Sequence, residues 1–349
     1  MNHESSNNSV WKMLNDLSRK QGITEIVINS PDMVFVERAG QFIQLNIHLH
    51  FADIQDFIND VYDFNRRDDH KISPIMDGKL PDGSRINIIR PPYVVGHDAI
   101  TIRKYLPHFS SFEEGHNVFG LNSKWVEFLR ALVSSRINCI VAGGTGVGKT
   151  TFMNLLLHEL PITDRIVTIE DTIELSIAVP NCVRLECRNF VGSDKQQIHL
   201  QMRDLIKNAL RMRPDRIIIG EVRGGEIFDL LQAMNTGHEG SMSSIHANST
   251  SEALLRMETL YSLAGMDMAA AVIKRQIAAA VDIIIQLGRD RNGHRIVSSI
   301  SELTGMEGDN LLLQDIGVEE NGILVESGLV PSIMEKMHQR SGISLEFFS

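Results

Sequence analysis

The chain has 349 residues, of which 43% are hydrophobic and 22% are charged, and its formal net charge is −10. This length predicts two or three domains that each bury a core, and the acidic balance disfavours a dedicated nucleic-acid binder. The first residues carry no secretory signal, and no apolar stretch approaches the about 18 residues needed to cross a bilayer, which argues against a secreted or membrane-spanning protein.

The first part of the chain combines short alternating segments with two helical ones, which predicts a smaller α+β domain over 1–104. Predicted helices cover 9–21 and 52–64, and predicted strands cover 24–28, 33–37, 41–45, 84–89 and 99–103. Residues 105–118 contain Pro107, Ser110 and Gly115, a composition typical of a linker.

From residue 119 to residue 349, apolar strands alternate with helices, which predicts a largely parallel sheet in an α/β domain. Predicted strands cover 139–142, 165–169, 216–219, 243–246 and 283–286, and predicted helices cover 124–135, 196–212, 225–235, 250–263, 266–280 and 331–340. A hairpin-like segment is expected over 294–326, so the domain has a helical and β-hairpin C-terminal part.

The stretch from Gly143 to Thr150 fits Gly-x-x-x-x-Gly-Lys-[Ser/Thr] and lies between an apolar strand and a helix start. This context is that of a phosphate-binding loop, in which backbone N–H groups converge on the phosphates of a nucleoside triphosphate. Lys149 would reach the β- and γ-phosphates, and the Thr150 hydroxyl would hold Mg²⁺. The ATP-binding residues predicted in this way are Gly143, Gly144, Thr145, Gly146, Val147, Gly148, Lys149, Thr150 and Thr151.

Two acidic segments follow strands of the predicted sheet, at the edge where α/β proteins bind ligands. Glu170 lies in segment 168–175, which also fits an acidic helix start. The strand 216–219 resembles a Walker B strand, but Gly220 stands where an aspartate usually closes it, and the acid is Glu221. We expect Glu221 to hold Mg²⁺ through water, and either Glu170 or Glu221 to be the general base that activates the attacking water.

Histidines and a basic stripe accompany the later strands. His238 and His246 are eight residues apart, a spacing that does not suggest a zinc pair. A lone histidine is more often structural, but His246 at a predicted strand end is placed to sense the γ-phosphate. Arg203, Lys207 and Arg211 recur at helical spacing, which is typical of a solvated helix face and also fits a subunit interface or a central pore.

Together these motifs resemble the type II/IV secretion ATPases, a family of ring-forming RecA-like motors. The resemblance runs from Ile23 to about Asp315 and includes four motifs in the family's order. They are the Walker A loop over 143–150, the Asp box over 168–174, the Walker B block over 220–224 and the His box over 236–249. The resemblance implies a RecA-like P-loop motor domain preceded by a smaller, PAS-like α+β domain. It further implies a Mg²⁺-dependent homohexameric ATPase that drives pilus assembly or protein secretion through an inner-membrane platform protein.

Segments 81–87, 101–104 and 293–295 resemble in particular the Tad/Flp pilus assembly ATPases of the CpaF type. The tetracysteine zinc element of many type II secretion ATPases is missing, because the three cysteines are scattered along the chain. By position, Arg85 and Arg103 match N-terminal-domain arginines that in this family approach a nucleotide bound to the motor domain. Without the resemblance, both would be interpreted as surface arginines on strands.

Two other functions stay open at this point. RecA-like rings also move nucleic acids, a role that the acidic net charge and the lack of an aromatic and basic strip disfavour. A scaffold that binds ATP but barely hydrolyses it is disfavoured by the presence of Glu170 and Glu221. The cysteines indicate free thiols in a reducing compartment, which together with the lack of a long apolar stretch predicts a cytoplasmic protein without a membrane span. The resemblance implies that it is peripheral at the inner membrane through its partners, and the acidic net charge predicts no bound nucleic acid.

Overall fold

The structure, a computed structural model, describes residues 8–20, 22–38, 41–65, 74–104, 111–187, 189–191, 197–265 and 268–348. The chain divides into two compact units, Met1–Pro107 and His108–Ser349, and each has its own hydrophobic core. Across the described part of the chain, no helix combines the length and the apolar character that a bilayer crossing requires.

Within its described residues, the first unit forms a six-stranded antiparallel sheet with two helices. Its elements are α1 (Ser9–Ser18), β1 (Ile23–Ser30), β2 (Met33–Arg38), β3 (Gln41–Leu45), α2 (Phe51–Phe64), β4 (Ile75–Lys79), β5 (Arg85–Ile89) and β6 (Ala99–Arg103). The strands are ordered β3-β2-β1-β6-β5-β4. The sequence does not predict β4, because Met76 is the one fully buried residue of that strand and no apolar alternation results.

The core of the first unit forms where the apolar face of α2 meets alternate residues of the sheet. Helix α2 buries Ile54, Phe57, Ile58 and Val61, which follow the spacing of one helix face. Trp11 of α1 packs edge to face on Phe57, with ring centroids 4.8 Å apart. The two helices therefore belong to one core, as the α+β prediction requires.

The second unit is built on a nine-stranded sheet. Its helices are α3 (Phe112–Gly115), α4 (Ser123–Ser134), α5 (Lys149–His158), α6 (Met202–Ala209), α7 (Glu226–Asn235), α8 (Thr250–Ser262), α9 (Ala270–Ala280) and α10 (Met334–Ser341), with a 3₁₀ turn at His116–Phe119. Its strands are β7 (Cys139–Gly143), β8 (Ile166–Glu170), β9 (Cys182–Glu186), β10 (Asn189–Val191), β11 (Gln197–His199), β12 (Arg216–Val222), β13 (Met242–Ile245), β14 (Ile283–Arg289), β15 (Arg295–Glu307), β16 (Asn310–Glu320) and β17 (Ile323–Glu326).

The order of the large sheet is β17-β16-β15-β14-β7-β13-β12-β8-β9. The strands from β14 to β9 are paired in parallel, and β15, β16 and β17 extend the sheet as antiparallel hairpins. The predicted helix 196–212 is shorter in the structure, because residues 197–199 pair with residues 189–191 in a separate two-stranded ribbon. The predicted α/β class with a largely parallel sheet is confirmed.

Strand β7 is central to the sheet and is buried on both faces. Cys139 and Val141 contribute to one core cluster, and Ile140 and Ala142 contribute to the other. A continuous apolar run without alternation is what a parallel strand covered by helices on both faces requires. The loop that follows β7 is therefore held by the most buried part of the domain.

The predicted linker 105–118 contains the border between the two units, and its residues 105–110 lie outside the described residues. The following residues form α3 and the 3₁₀ turn. Phe112 and Phe119 are fully buried, and their ring centroids lie 6.4 and 5.1 Å from that of Phe152 in α5. The end of the segment thus packs in the core of the second unit, while the domain borders themselves stay a prediction.

A buried ion network ties the amino ends of β7, β8 and β12 together. Arg216 is fully buried, and its guanidinium donates from Nε to Oδ2 of Asp164 at 2.8 Å and from Nη1 to the carbonyl of Val133 at 2.7 Å. Arg136 donates to the other carboxylate oxygen of Asp164 at 2.7 Å. Because Asp164 accepts hydrogen bonds from both arginines, we expect its substitution to destabilise the protein.

We expect Asp164→Asn to lower the free energy of unfolding by about 3–5 kcal/mol, because the buried Arg216 would keep its charge without a counterion. Asp215→Asn is the matched control, since the Asp215 side chain is 41% exposed and lies 3.6 Å from Arg136. Such a surface pair contributes about 0–1 kcal/mol. Denaturant titration followed by circular dichroism measures both variants, and equal losses would contradict the assignment.

Candidate active site

The candidate site lies at the carboxyl edge of the parallel strands. The loop of residues 143–150 (the P-loop) connects β7 to α5, Glu170 ends β8, Glu221 lies near the end of β12, and His246 follows β13. Because these strands run parallel and are neighbours in the sheet, their carboxyl ends meet along one edge. The structure therefore brings together the P-loop, both candidate acids and His246.

The P-loop turns sharply at Gly148, which precedes α5 with a backbone φ of +98°. This left-handed conformation favours glycine. A Cβ atom at this position would also lie 3.2 Å from Cδ of Arg295 and 3.4 Å from the ring of Phe119. Gly148 is therefore required by its backbone conformation and by the close approach of two neighbouring elements.

The ammonium group of Lys149 lies across the mouth of the P-loop. Its Nζ donates to the carbonyl oxygens of Gly143 and Gly144 at 2.9 and 3.0 Å and lies 3.6 Å from Oε1 of Glu221. The side chain is 12% exposed, so its charge is only weakly screened by solvent. A cation in this position can neutralise negative charge on a phosphate above the loop.

Glu170 is the most buried acid of the site, with 2% of its surface exposed. Its Oε2 accepts hydrogen bonds from the backbone N–H groups of Glu174 and Leu175, at 2.7 and 2.9 Å. Its Oε1 accepts none from the described residues, and Nη2 of Arg184 lies 4.0 Å away. Burial raises the pKa of Glu170, and the two N–H groups and Arg184 oppose this shift. Glu170 thus has one oxygen fixed and one oxygen available to accept a proton.

Gly220 explains why the Walker B strand departs from its usual pattern. A Cβ atom at position 220 would lie 3.2 Å from Cγ of Glu170 on the neighbouring strand β8. An aspartate at this position would therefore press on the buried carboxylate of Glu170. The glycine leaves space for the side chain of Glu170, and the acidic residue of β12 is the next residue, Glu221.

Glu221 is surrounded by positive charge. Its carboxylate accepts from Nε and Nη2 of Arg223 at 2.7 and 2.5 Å and lies near Lys149. Nearby, the hydroxyl of Thr150 donates to Oε2 of Glu174 at 3.3 Å. Among the described residues, no cluster of three or more His, Cys, Asp or Glu side chains forms a self-contained metal site. One hydroxyl and one carboxylate fit Mg²⁺, which usually completes its shell with water and substrate phosphates.

The two histidines lie at opposite ends of β13. His246 follows the strand at the edge of the P-loop, whereas His238 precedes it, with Nδ1 3.3 Å from the carbonyl of Ala233. The hydroxyl of Ser244 donates to the carbonyl of Gly220 at 2.7 Å and links β13 to β12. Of the two histidines, His246 is therefore the one at the candidate site.

Arg85 and Arg103 belong to the first unit, where the strand register sets them directly opposite each other on β5 and β6. Glu25 of β1 is the next residue in this row, opposite Arg103. Two like charges in directly opposed positions are unfavourable in a sheet. The approach of Arg85 and Arg103 to a nucleotide stays a prediction.

The basic stripe of α6 does not remain a purely solvated face. Arg203 donates from Nε to Asp229 of α7 at 2.6 Å and from Nη1 to the carbonyl of Ala264 at 3.0 Å. Lys207 and Arg211 are exposed. Arg203 therefore joins α6 to its neighbours, which its spacing in the sequence could not show.

Two arginines that the sequence analysis does not include also lie at the site. Arg289, at the end of β14, donates to the carbonyl of Gly146 at 3.0 Å, and Arg184, on the edge strand β9, lies near Glu170. Neither belongs to a motif. The signal that would have found them is the pairing of β14 with β7 and of β9 with β8, which is not visible in a single sequence.

Comparison with known proteins identifies the family. A family model described as "Type II/IV secretion system protein" matches residues 8–316. The chain is 33% identical over 307 residues to a putative conjugal transfer protein of Mycobacterium tuberculosis, covering 85% of both proteins. It is 33% identical over 278 residues to the conjugal transfer protein TrbB of Rhizobium radiobacter, covering 78% of this chain and 82% of that protein.

Among solved structures, the crystal structure of the pilus retraction motor PilT with bound ADP has a similar fold. The TM-score is 0.60 at 20% sequence identity, and the match covers 96% of this chain and 87% of PilT. This likeness confirms the predicted combination of an N-terminal domain with a RecA-like core. The chain is therefore an ATPase that belongs to the Type II/IV secretion system protein family.

Proposed function

We propose that the protein is a Mg²⁺-dependent ATPase that works as a homohexamer and powers transport or pilus assembly through a platform protein of the inner membrane. The observation that supports it best is the position of Lys149, held between two P-loop carbonyls and Glu221, with Glu170 on a neighbouring strand end. This arrangement provides a cation for the phosphates and two acids with different surroundings. The roles of the individual residues follow from these surroundings.

The P-loop residues 143–151 bind the phosphates of ATP, and Lys149 balances the charge of the β- and γ-phosphates. Thr150 and Glu221 hold Mg²⁺, which when bound supplies charge neutralisation on the phosphate oxygens. Glu221 suits this role because its carboxylate lies 3.6 Å from the ammonium group of Lys149, at the mouth of the P-loop. His246, at the end of β13, contacts the γ-phosphate side of the site.

Glu170 suits the role of general base better than Glu221 does. Burial raises the pKa of Glu170 toward the range in which a carboxylate accepts a proton more readily. The N–H groups of Glu174 and Leu175 hold Oε2 of Glu170 in place, so Oε1 is the oxygen that is left to accept a proton. The carboxylate of Glu221 is already bound by the guanidinium of Arg223, which leaves it less accessible to an attacking water.

The machine that the ring serves is a finer question. The relatives named above are conjugal transfer proteins, and their similarity along most of the chain favours a type IV secretion system. Segments 81–87, 101–104 and 293–295 resemble Tad/Flp pilus ATPases, so a Tad/Flp pilus is the second candidate. Both candidates place the ring in the cytoplasm, at the inner membrane through its partners.

Lys149→Ala should abolish ATP hydrolysis, and Glu170→Gln should slow it at least about 10²-fold while nucleotide binding is retained. The reason is that the first change removes the phosphate cation and the second removes the proton acceptor. Lys207→Ala, an exposed lysine of α6, is the control. Phosphate release and binding of a fluorescent ATP analogue measure the two effects separately. If Glu221→Gln gives the binding-competent, slow phenotype and Glu170→Gln does not, the two acids must exchange roles.

The rate of hydrolysis should fall as the pH drops through the pKa of Glu170, because the base must be deprotonated. Burial raises this pKa, and Arg184 lowers it, so Arg184→Ala should raise it further. The acidic limb of the pH–kcat profile should then move to higher pH. Arg184→Lys is the matched control, since it keeps the positive charge and should restore the limb. A limb that does not move in Arg184→Ala would contradict the base assignment.

The ring and its arginines can be tested together. Mass measurement with Mg-ATP should show six copies, and in that ring Arg85→Ala should lower hydrolysis without weakening ATP binding, because an arginine from outside the P-loop stabilises charge in the transition state. Arg38→Ala, at the end of β2 in the same unit, is the control. An unchanged rate in Arg85→Ala would make Arg85 a surface residue.

Hydrolysis stimulated by nucleic acid and abolished by salt would support a nucleic-acid motor instead.

A further inference from the structure

The P-loop is held from a second direction by the hairpin of β14 and β15. Nη2 of Arg289 donates to the carbonyl of Gly146 at 3.0 Å, and Nη1 of the same guanidinium donates to the carbonyl of Gly293 at 2.7 Å. One planar group therefore joins the tip of the P-loop to the turn of the hairpin. Lys149 binds the carbonyls of Gly143 and Gly144, so one cation holds the start of the loop and another holds its tip.

The bond to Gly146 fixes the direction of a neighbouring N–H group. The peptide bond between Gly146 and Val147 is planar and trans, so the carbonyl of Gly146 and the N–H of Val147 point in opposite directions. Gly146 has a φ of +73°, and a glycine at such a position keeps more conformational freedom than other residues do. When Arg289 holds the carbonyl on the hairpin side, the N–H of Val147 is directed to the other side, where the loop binds phosphate.

The hairpin is itself well anchored, which makes it a suitable support. β14 pairs in parallel with β7, with Leu287 opposite Gly143 at the start of the P-loop. The turn is closed by Asp290, whose Oδ1 accepts from the N–H groups of Asn292 and His294 at 2.9 and 2.8 Å. Arg289, the last residue of β14, therefore lies between a strand that is paired with β7 and a turn that is closed by Asp290.

The geometry points to Arg289 as a positioning residue of the nucleotide site, one that directs the N–H groups of the P-loop at the phosphates. This inference rests on the proposed function, because it concerns the same phosphate site. It adds a residue that lies outside the Walker A, Asp box, Walker B and His box motifs. Arg289 acts through Gly146, and its effect is on the affinity for the phosphate chain.

The test compares Arg289→Ala, Arg289→Lys and Arg291→Ala in the full chain. In Arg289→Ala the KM for ATP should rise about tenfold, while kcat and the thermal midpoint of unfolding change little, because a hydrogen bond from a charged donor is lost without a change in the core. Arg289→Lys keeps the positive charge but cannot bridge two carbonyls in one plane. Its KM should therefore rise by a smaller factor than that of Arg289→Ala. Arg291 is exposed in the same turn, and Arg291→Ala should match the wild type.

Pyrophosphate, used as a competitive inhibitor, tests whether the effect is on the phosphates. Its inhibition constant should rise in Arg289→Ala by the same factor as the KM for ATP. An unchanged inhibition constant would place the effect at the base or ribose, and an unchanged KM in both Arg289 variants would remove any role; either result overturns the inference. If Arg289→Ala does not fold, the two measurements on Arg289→Lys decide. A wild-type chain without ATP hydrolysis would instead contradict the proposed function.

Discussion

The parallel pairing of β7 with β13 on one side and with β14 on the other is the interaction on which the site depends. It places the P-loop in the middle of the sheet edge, between two groups of strands with different chemistry. On the β13 side, β12 and β8 bring the acids Glu221 and Glu170. On the β14 side, the hairpin brings Arg289 and Arg295. A nucleotide on the P-loop would therefore have the two acids on one side and the two arginines of the hairpin on the other.

The two acids show how one fold gives similar groups different properties. Glu221 lies beside Arg223 and Lys149 and accepts hydrogen bonds from the guanidinium of Arg223. Glu170 is buried, and burial raises its pKa against the effect of two backbone N–H groups. Gly220 makes this difference possible, because a side chain in its place would contact Glu170.

The parts of the site that are contiguous in the chain could be predicted, and the parts that depend on strand pairing could not. The P-loop, Glu170 and Glu221 follow strands directly, so their common edge follows from the parallel sheet alone. Arg289 reaches Gly146 across 143 positions of the chain, and this contact requires knowing that β14 lies beside β7. Arg203 shows the same limit, since its helical spacing predicted a solvated face but Asp229 of another helix binds it.

The fold shows the same difference between features that are local in the chain and features that depend on remote neighbours. The alternating segments predicted the strands of the first unit except β4, and the alternation of apolar strands with helices predicted the parallel sheet of the second unit. β4 and β9 were not predicted, because β4 has one buried residue and β9 has none, so that neither shows an apolar alternation. Phe112 was assigned to a linker by the composition around it, although its ring packs on Phe152.

Gly148 has a consequence for how mutations in the Walker A loop are interpreted. The motif prescribes this glycine for phosphate binding, yet a Cβ atom here would also contact Arg295 of β15 and Phe119 of the 3₁₀ turn. A larger residue at position 148 would therefore push on two other parts of the second unit at once. A loss of activity in such a variant would therefore report on the seating of the hairpin and of the 3₁₀ turn as much as on the phosphates. A substitution at this one position would therefore affect nucleotide binding and the packing of remote chain segments together.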